Sequence, residues 1–305
     1  MSRGQGKSGV AEPDRGRGNT VLAGLVGRGI QLSRTPAMHE AEGAALGLRY
    51  VYKLIDTELM DPQPPAIAEI LRAAEICGFS GLNITYPYKI DVIAHLDELS
   101  DAARTVGAVN TVVFRDGKRF GHNTDVWGFG ESFRRNMSDV ARDRVFLIGA
   151  GGAGVAVAHA LLQNEVGQLV ICDKETDRAE ALATRLNQHF GEGRATLDQD
   201  STESGRRFDG IVNATPVGMK KLPGSPFPID ELEASTWVAD IVYFPIETEL
   251  LRAARRIGCR TLSGSGMAVF QAVRAFELIT GSTPDGERMK ATFDAFDPSV
   301  VAKAT

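Results

Sequence analysis

At 305 residues the chain is long enough for two domains, and its 43% hydrophobic and 24% charged residues are those of a soluble globular protein. A net charge of -5 excludes a basic field for nucleic acid or an anionic membrane, and no apolar run approaches the roughly 18 residues of a membrane span. Cys77, Cys172 and Cys259 are an odd, scattered trio in apolar surroundings, which fits reduced cytoplasmic thiols; neither they nor the five histidines show metal-ligand spacing.

Residues 1–20 are rich in Gly and Arg and lack the apolar core of a signal peptide, so they read as a disordered tail. Val21–Val26 reads as a buried strand broken by Gly27-Arg28-Gly29. Ser33-Arg34-Thr35-Pro36 starts a helix to about Leu46, with Pro36 at the first helical position and Thr35 as its cap. Arg49–Asp56 alternates as a second strand, and a Pro-rich stretch at 61–65 precedes a helix from Ala66 to Cys77 closed by Gly78. Phe79–Thr85 is the third strand. Y-P-Y-K follows at once and lands Lys89 in the first turn of the next helix, where a cation opposes the macrodipole by roughly 0.3–1 kcal/mol. That misplacement singles Lys89 out. Ser100-Asp101 opens a short helix, Gly107–Arg115 is a strand carrying Asn110 and Thr111, and G-H-N-T-D at 121–125 is a turn into another helix. Strands and helices alternating from Val21 to Phe114 imply an α/β domain with a mixed or parallel sheet over 21–125.

The cofactor half, 126–263, is organised around Val145–Asp173. The apolar run Val145–Ile148 meets Gly149-x-Gly151-x-x-Gly154, an Ala-rich helix follows, and a second apolar run ends at Asp173. Strand, glycine turn, helix, strand and acid make the full context of a dinucleotide fingerprint. The diphosphate would lie on the helix N-terminus near Gly152, against Gly149, Ala150, Gly151, Gly152 and Ala153. Asp173 stands at the usual distance for a ribose 2′-OH and would repel a 2′-phosphate, which favours NAD over NADP. Phe208–Thr215 and Trp237–Tyr243 are further strands, Leu222–Pro228 a Pro-rich loop, Thr248–Ile257 a helix closed by Gly258, and Cys259–Leu262 a last short strand. Gly264–Gly266 leads into a helix from Met267 to Ile279, with another over Met289–Phe296. Nothing after Leu262 continues the alternation, so residues 264–305 are expected to pack back on the first domain.

A nicotinamide cofactor implies hydride transfer, and the protein must then manage one proton. The candidates are polar groups at strand ends facing the crevice: Lys89 and Asp125. Which of the two carries the proton is left open by the residues alone. Ser33, Thr35, Asn83, Thr85, Asn110 and Gln271 add uncharged donors and acceptors suited to a small polyol.

Seven ordered motifs then carry a resemblance: S-R-T-P (33–36), N-I-T-Y-P-Y-K (83–89), G-A-V-N-T (107–111), G-H-N-T-D (121–125), G-A-G-G-A (149–153), N-A-T-P-V-G-M (213–219) and G-x-G-M-x-x-x-Q (264–271). From about Val21 to Phe296 the chain resembles the shikimate dehydrogenase family. The resemblance implies reversible oxidation of the C3 hydroxyl of shikimate, with Lys89 as catalytic acid/base and Asp125 as its partner. It implies substrate binding by Ser33, Thr35, Thr85, Asn110, Tyr243 and Gln271. Cofactor contacts fall to the glycine turn, Asp173, Arg178, Thr215, Pro216, Val217, Ile241 and Gly264. Members with S-R-T and an acid after the second strand look like NAD-dependent quinate/shikimate dehydrogenases; biosynthetic members usually carry S-x-S, and N-R-T where this chain has Cys172-Asp173-Lys174. The added methyl of Thr35 is worth about 1–3 kcal/mol of discrimination, so use of both quinate and shikimate is expected. The segment Arg28–Ser33 lacks the family's P-x-x-H-S. Alternatives are an NADP-dependent biosynthetic shikimate or aminoshikimate dehydrogenase, and a ligand-sensing relative without turnover. The expected partners are a small-molecule substrate, no nucleic acid and no membrane, and a homodimer is allowed.

Overall fold

The structure is a computed structural model and describes residues 19–198 and 207–296; the tail expected over 1–20 lies outside the described residues up to position 18. The first sheet contains β1 (Thr20–Gly27), β2 (Arg49–Asp56), β3 (Gly81–Ile84), β4 (Glu98–Leu99), β5 (Thr111–Arg115) and β6 (Lys118–His122), in the order β2-β1-β3-β5-β6-β4. β1 runs parallel to β2 and β3 while β5 is antiparallel to β3 and β6, so this sheet is mixed. The second sheet contains β7 (Arg144–Ile148), β8 (Gln168–Cys172), β9 (Ala195–Leu197), β10 (Gly210–Asn213), β11 (Trp237–Asp240) and β12 (Thr261–Ser263), paired in parallel as β12-β11-β10-β7-β8-β9. Counted from β9 this is the 3-2-1-4-5-6 order of the dinucleotide-binding fold, whose crevice opens between β7 and β10.

The helices are α1 (Thr35–Ala45), α2 (Ile67–Ile76), α3 (Asp101–Val106), α4 (Thr124–Asn136), α5 (Gly152–Gln163), α6 (Thr176–Phe190), α7 (Glu249–Ile257), α8 (Gly264–Thr280) and α9 (Gly286–Asp294). The sheet faces dictate the sequence patterns. β7 is apolar from Val145 to Ile148 because both faces are covered: Val145 and Leu147 pack with α5 and α6, Phe146 and Ile148 with α7. β2 alternates because it is an edge strand with one covered face, burying Tyr50 and Tyr52 between exposed Arg49, Val51 and Lys53. α4 carries the chain from the first sheet to the second, and α8 brings it back along α4. Phe270, Val273 and Phe276 of α8 and Met289 and Phe293 of α9 then close the core over Val21, Leu25 and Tyr52. The C-terminal helices therefore do pack on the first sheet.

Several local expectations are corrected. Lys89 is not in a helical first turn: residues 86–90 form a turn, and a short 3-10 segment begins only at Asp91. Gly107–Asn110 is not strand, because Gly107 caps α3 in the left-handed region and β5 starts at Thr111. Gly121 and His122 end β6 rather than forming a turn. β6 is half of a hairpin closed by Asp116-Gly117, both with positive φ, a two-residue turn whose twist suits paired strands. The D-G pair was the available signal. The first helix has Arg34 rather than Thr35 at its N-cap, and the Ser33 hydroxyl accepts the Thr35 N–H at 3.3 Å. Gly264–Gly266 forms the first turn of α8 instead of a lead-in. Cys77 is exposed, at the rim of a hollow lined by Ile55, Ile70 and Phe79.

Candidate active site

Lys89 and Asp125 meet across the first sheet. The Lys89 Nζ lies 2.7 Å from the Asp125 Oδ2, with side chains 27% and 10% exposed. Asp125 sits in the first turn of α4, where the helix N-terminus favours a carboxylate. Asn123 caps that turn by accepting the Asp125 and Val126 N–H groups. The Lys89 carbonyl accepts the Val109 N–H at 2.8 Å, which ties the lysine turn to the segment before β5. Charge and geometry thus hold a cation on a buried acid at the strand ends.

The polar groups expected around this pair divide. Tyr243, 43% exposed, follows β11; partial desolvation raises its phenol pKa, while Lys89 and Arg34 pull it down and Asp125 opposes them. Tyr243 and Arg34 share a neighbour, Phe293, whose ring centroid is 6.2 Å from that of Tyr243 and 4.5 Å from the Arg34 guanidinium. Gln271 stands on α8 beside Gly128 of α4, one turn after Asp125, and its amide donates to the Ala268 carbonyl at 3.0 Å. Thr85 follows β3, its N–H on the Val26 carbonyl at 2.9 Å. Asn110 is buried and already engaged: its Oδ1 accepts the Thr124 N–H at 2.8 Å and its Nδ2 donates to the Thr124 hydroxyl at 3.0 Å. It fastens β5 to the start of α4. Asn83 leaves the candidate set, because it is buried between the Tyr52 hydroxyl at 2.7 Å and the Thr111 hydroxyl at 3.0 Å.

The glycine turn fits a dinucleotide. A Cβ at Gly154 would stand 2.0 Å from the Gly149 carbonyl oxygen, so α5 approaches β7 as only glycine permits. Around Gly151 and Gly152 an added Cβ would meet nothing within 4 Å, and Gly151 caps α5 with no side-chain bond. Ala153 follows in that first turn. An open helix N-terminus is the surface a diphosphate needs. Asp173, directly after β8, reaches this turn: its Oδ2 accepts the Ala150 N–H at 2.7 Å and its Oδ1 the Glu175 N–H at 2.9 Å. Arg178, exposed on the outer face of α6, pairs with Glu175 at 2.9 Å. Burial, with Asp173 adjacent, pushes the Cys172 thiol up to about 11. It is an inert thiol beside the acid.

Across the crevice, Thr215, Pro216 and Val217 follow β10 in a turn built by Asn213, whose Oδ1 accepts the Thr215 N–H and hydroxyl at 2.9 and 2.7 Å. The Asn213 amide donates to the Val217 carbonyl and to Asp240, both at 2.9 Å. Asp240 was missed by sequence reasoning, although an acid inside the apolar strand W-V-A-D is itself a signal. It also accepts the Val242 N–H at 3.0 Å and the Thr248 hydroxyl at 2.7 Å, and burial raises its pKa to about 6 against these bonds. Ile241 follows it, and a Cβ at Gly264 would lie 2.1 Å from the Ile241 carbonyl oxygen, so α8 begins against this segment. Among the described residues no helix is long and apolar enough to cross a membrane, and no group of His, Cys, Asp and Glu could hold a metal ion.

Known proteins resemble this chain in sequence and fold. The family model described as shikimate dehydrogenase substrate binding domain matches residues 25–112, and that described as shikimate / quinate 5-dehydrogenase matches 131–215. The NADP(+) shikimate dehydrogenase of Streptomyces avermitilis is 53% identical over 279 residues, 90% of this chain and 94% of that one. The NAD(+) quinate/shikimate dehydrogenase of Corynebacterium efficiens is 49% identical over 278 residues, 90% of this chain and 98% of that one. The solved structure of quinate dehydrogenase from Corynebacterium glutamicum in complex with NAD superposes with a TM-score of 0.85 at 46% identity, covering 91% of this chain and all of that one.

Proposed function

The chain belongs to the shikimate dehydrogenase family of oxidoreductases, and within it we propose an NAD-preferring enzyme that oxidises the C3 hydroxyl of both quinate and shikimate. The observation carrying the cofactor half is the Asp173 carboxylate bonded at 2.7 Å to Ala150 of the glycine turn. There it would accept the ribose hydroxyl and oppose a 2′-phosphate. The bound nicotinamide supplies the hydride acceptor or donor. The protein supplies the proton: as a ketone is reduced, the Lys89 ammonium gives a proton to the developing alkoxide, and in oxidation the pair takes it from the hydroxyl. Asp125 aims the Lys89 side chain through the 2.7 Å bond between Nζ and Oδ2. Ser33, Thr35, Thr85, Tyr243 and Gln271 receive the ring hydroxyls and the carboxylate, with Asn110 supporting the acid's helix. In this scheme residues 21–125 serve the substrate, 126–263 the cofactor, and the closing helices complete the substrate side.

A second reading is supported by the Streptomyces relative, named for NADP at 53% identity, and by the cations Lys174 and Arg178 near Asp173. The test is steady-state oxidation of shikimate and quinate, each with NAD and with NADP. Turnover of both acids with NAD supports the proposal. Activity on shikimate with NADP alone returns the chain to biosynthesis and removes the role given to Asp173. No turnover in any combination, with NAD still bound, favours a ligand sensor.

A further inference from the structure

The segment between β1 and α1 departs from the family pattern, with Arg28-Gly29-Ile30-Gln31-Leu32-Ser33 in place of P-x-x-H-S. What holds it is an acid from the neighbouring strand. Asp56, the last residue of β2 and 3% exposed, accepts four hydrogen bonds. They come from the Gly29 N–H at 2.8 Å, the Ile30 N–H at 3.1 Å, the Gln31 side-chain amide at 2.9 Å and the Glu58 N–H at 3.1 Å. Three of these donors belong to the departing segment. Desolvation alone would raise the Asp56 pKa, but the accepted bonds outweigh it and hold the carboxyl below the usual range. Leu32, 52% exposed, stands where the family carries its histidine and contributes no anchor.

The clamp continues directly into the substrate site. The Ile30 carbonyl accepts the Ser33 N–H at 2.9 Å, and the Ser33 hydroxyl accepts the Thr35 N–H at 3.3 Å. On the other side, the Arg28 N–H donates to the Tyr86 carbonyl at 3.0 Å, in the turn that presents Lys89. One buried carboxylate therefore fixes the path between the lysine turn and the Ser33/Thr35 pair. We propose that Asp56, acting on Gln31 and the backbone of Gly29 and Ile30, is a positioning residue that presets Ser33 and Thr35 for the substrate. This rests on the dehydrogenase reading above. A backbone held in the bound shape before substrate arrives spares the cost of ordering it on binding, and misplacement of about 1 Å can cost about 100-fold.

Asp56→Asn and Gln31→Ala test this. Asn keeps the shape of Asp56 but turns an acceptor into a donor facing N–H groups; Gln31→Ala removes one donor and leaves the three backbone bonds, so it folds even if Asp56→Asn does not. The expected result is a rise of about 10- to 100-fold in KM for quinate and shikimate in Asp56→Asn, with a smaller rise in Gln31→Ala. KM for NAD should stay within about twofold, because the cofactor turn belongs to the other sheet. Gln31→Ala should add nothing in the Asp56→Asn background. Amide hydrogen exchange should quicken at 28–33 and not in the second sheet. An unmutated chain that turns over either acid, with KM unchanged in both variants or with both KM values moving together, overturns the clamp alone. An unmutated chain that turns over neither acid overturns the functional reading and this proposal with it.

Discussion

Replacing Asp173 with Ala tests the cofactor reading most directly. The carboxylate is within one hydrogen-bond length of the glycine turn through Ala150, so a ribose over that turn is within its reach. A hydroxyl bonded to a charged acceptor contributes about 1.5–3 kcal/mol, or roughly 10- to 150-fold in NAD affinity. A 2′-phosphate would instead bring nearly two negative charges to about 4 Å, where one charge pair costs about 1 kcal/mol in water and about 4 at a protein surface. Salt and Lys174 reduce this, but Arg178 is already shared with Glu175. Taking about 2 kcal/mol for the repulsion and a similar loss of NAD binding, Asp173→Ala should shift the NAD/NADP ratio of kcat/KM by about 1,000-fold. The ratio is the quantity to follow, since the variant also strips Ala150 of its acceptor and weakens both cofactors alike. Initial rates with each cofactor, at saturating shikimate, give it. An unchanged ratio in Asp173→Ala and Asp173→Asn would falsify the assignment.

Lys89→Met should lower kcat by about 100- to 10,000-fold, with NAD binding by fluorescence titration near normal; retained turnover would take Lys89 out of the proton path. Thr35 opens α1 beside Ser33, and Thr35→Ser removes one methyl, so the quinate-to-shikimate ratio of kcat/KM should move by about 5- to 150-fold. No movement would assign substrate choice to another residue. His39 is fully buried against Tyr50, and desolvation lowers its pKa from 6.5 to about 3. The unfolded chain therefore takes up a proton below 6.5 that the folded chain refuses until about 3, so stability falls as pH drops through that window. Near pH 5 the loss is about 2 kcal/mol, and His39→Gln should lack it. Urea unfolding at pH 7 and 5 reads the difference, and an equal acid loss in both proteins would refute the assignment.

Local rules carried much of this protein. The V-F-L-I run, the three glycines, the following helix and the acid at Asp173 obey short-range constraints that any chain with those residues must meet. Gly78 and Gly258 closed their helices where the residue types said they should, while Thr248, expected inside the helix, instead caps α7 by accepting the Leu251 N–H. Where longer contacts decided the outcome, the sequence misled. Polar β6 is a strand because β5 pairs with it, Gly264–Gly266 is helical because only glycine lets α8 start against Ile241, and Asn83 is consumed by Tyr52 from a strand two places away. Asp56 and Asp240 look like ordinary strand-end acids until their donors are known, and those donors lie up to 27 residues away. Lys89 and Asp125 could each be picked out as candidates, but they are 36 residues apart. The motif types and their order belong to the sequence. That Nζ stands 2.7 Å from Oδ2 is a property of the folded sheet, because only the pairing of β3 with β5 and of β5 with β6 brings the lysine turn to the start of α4.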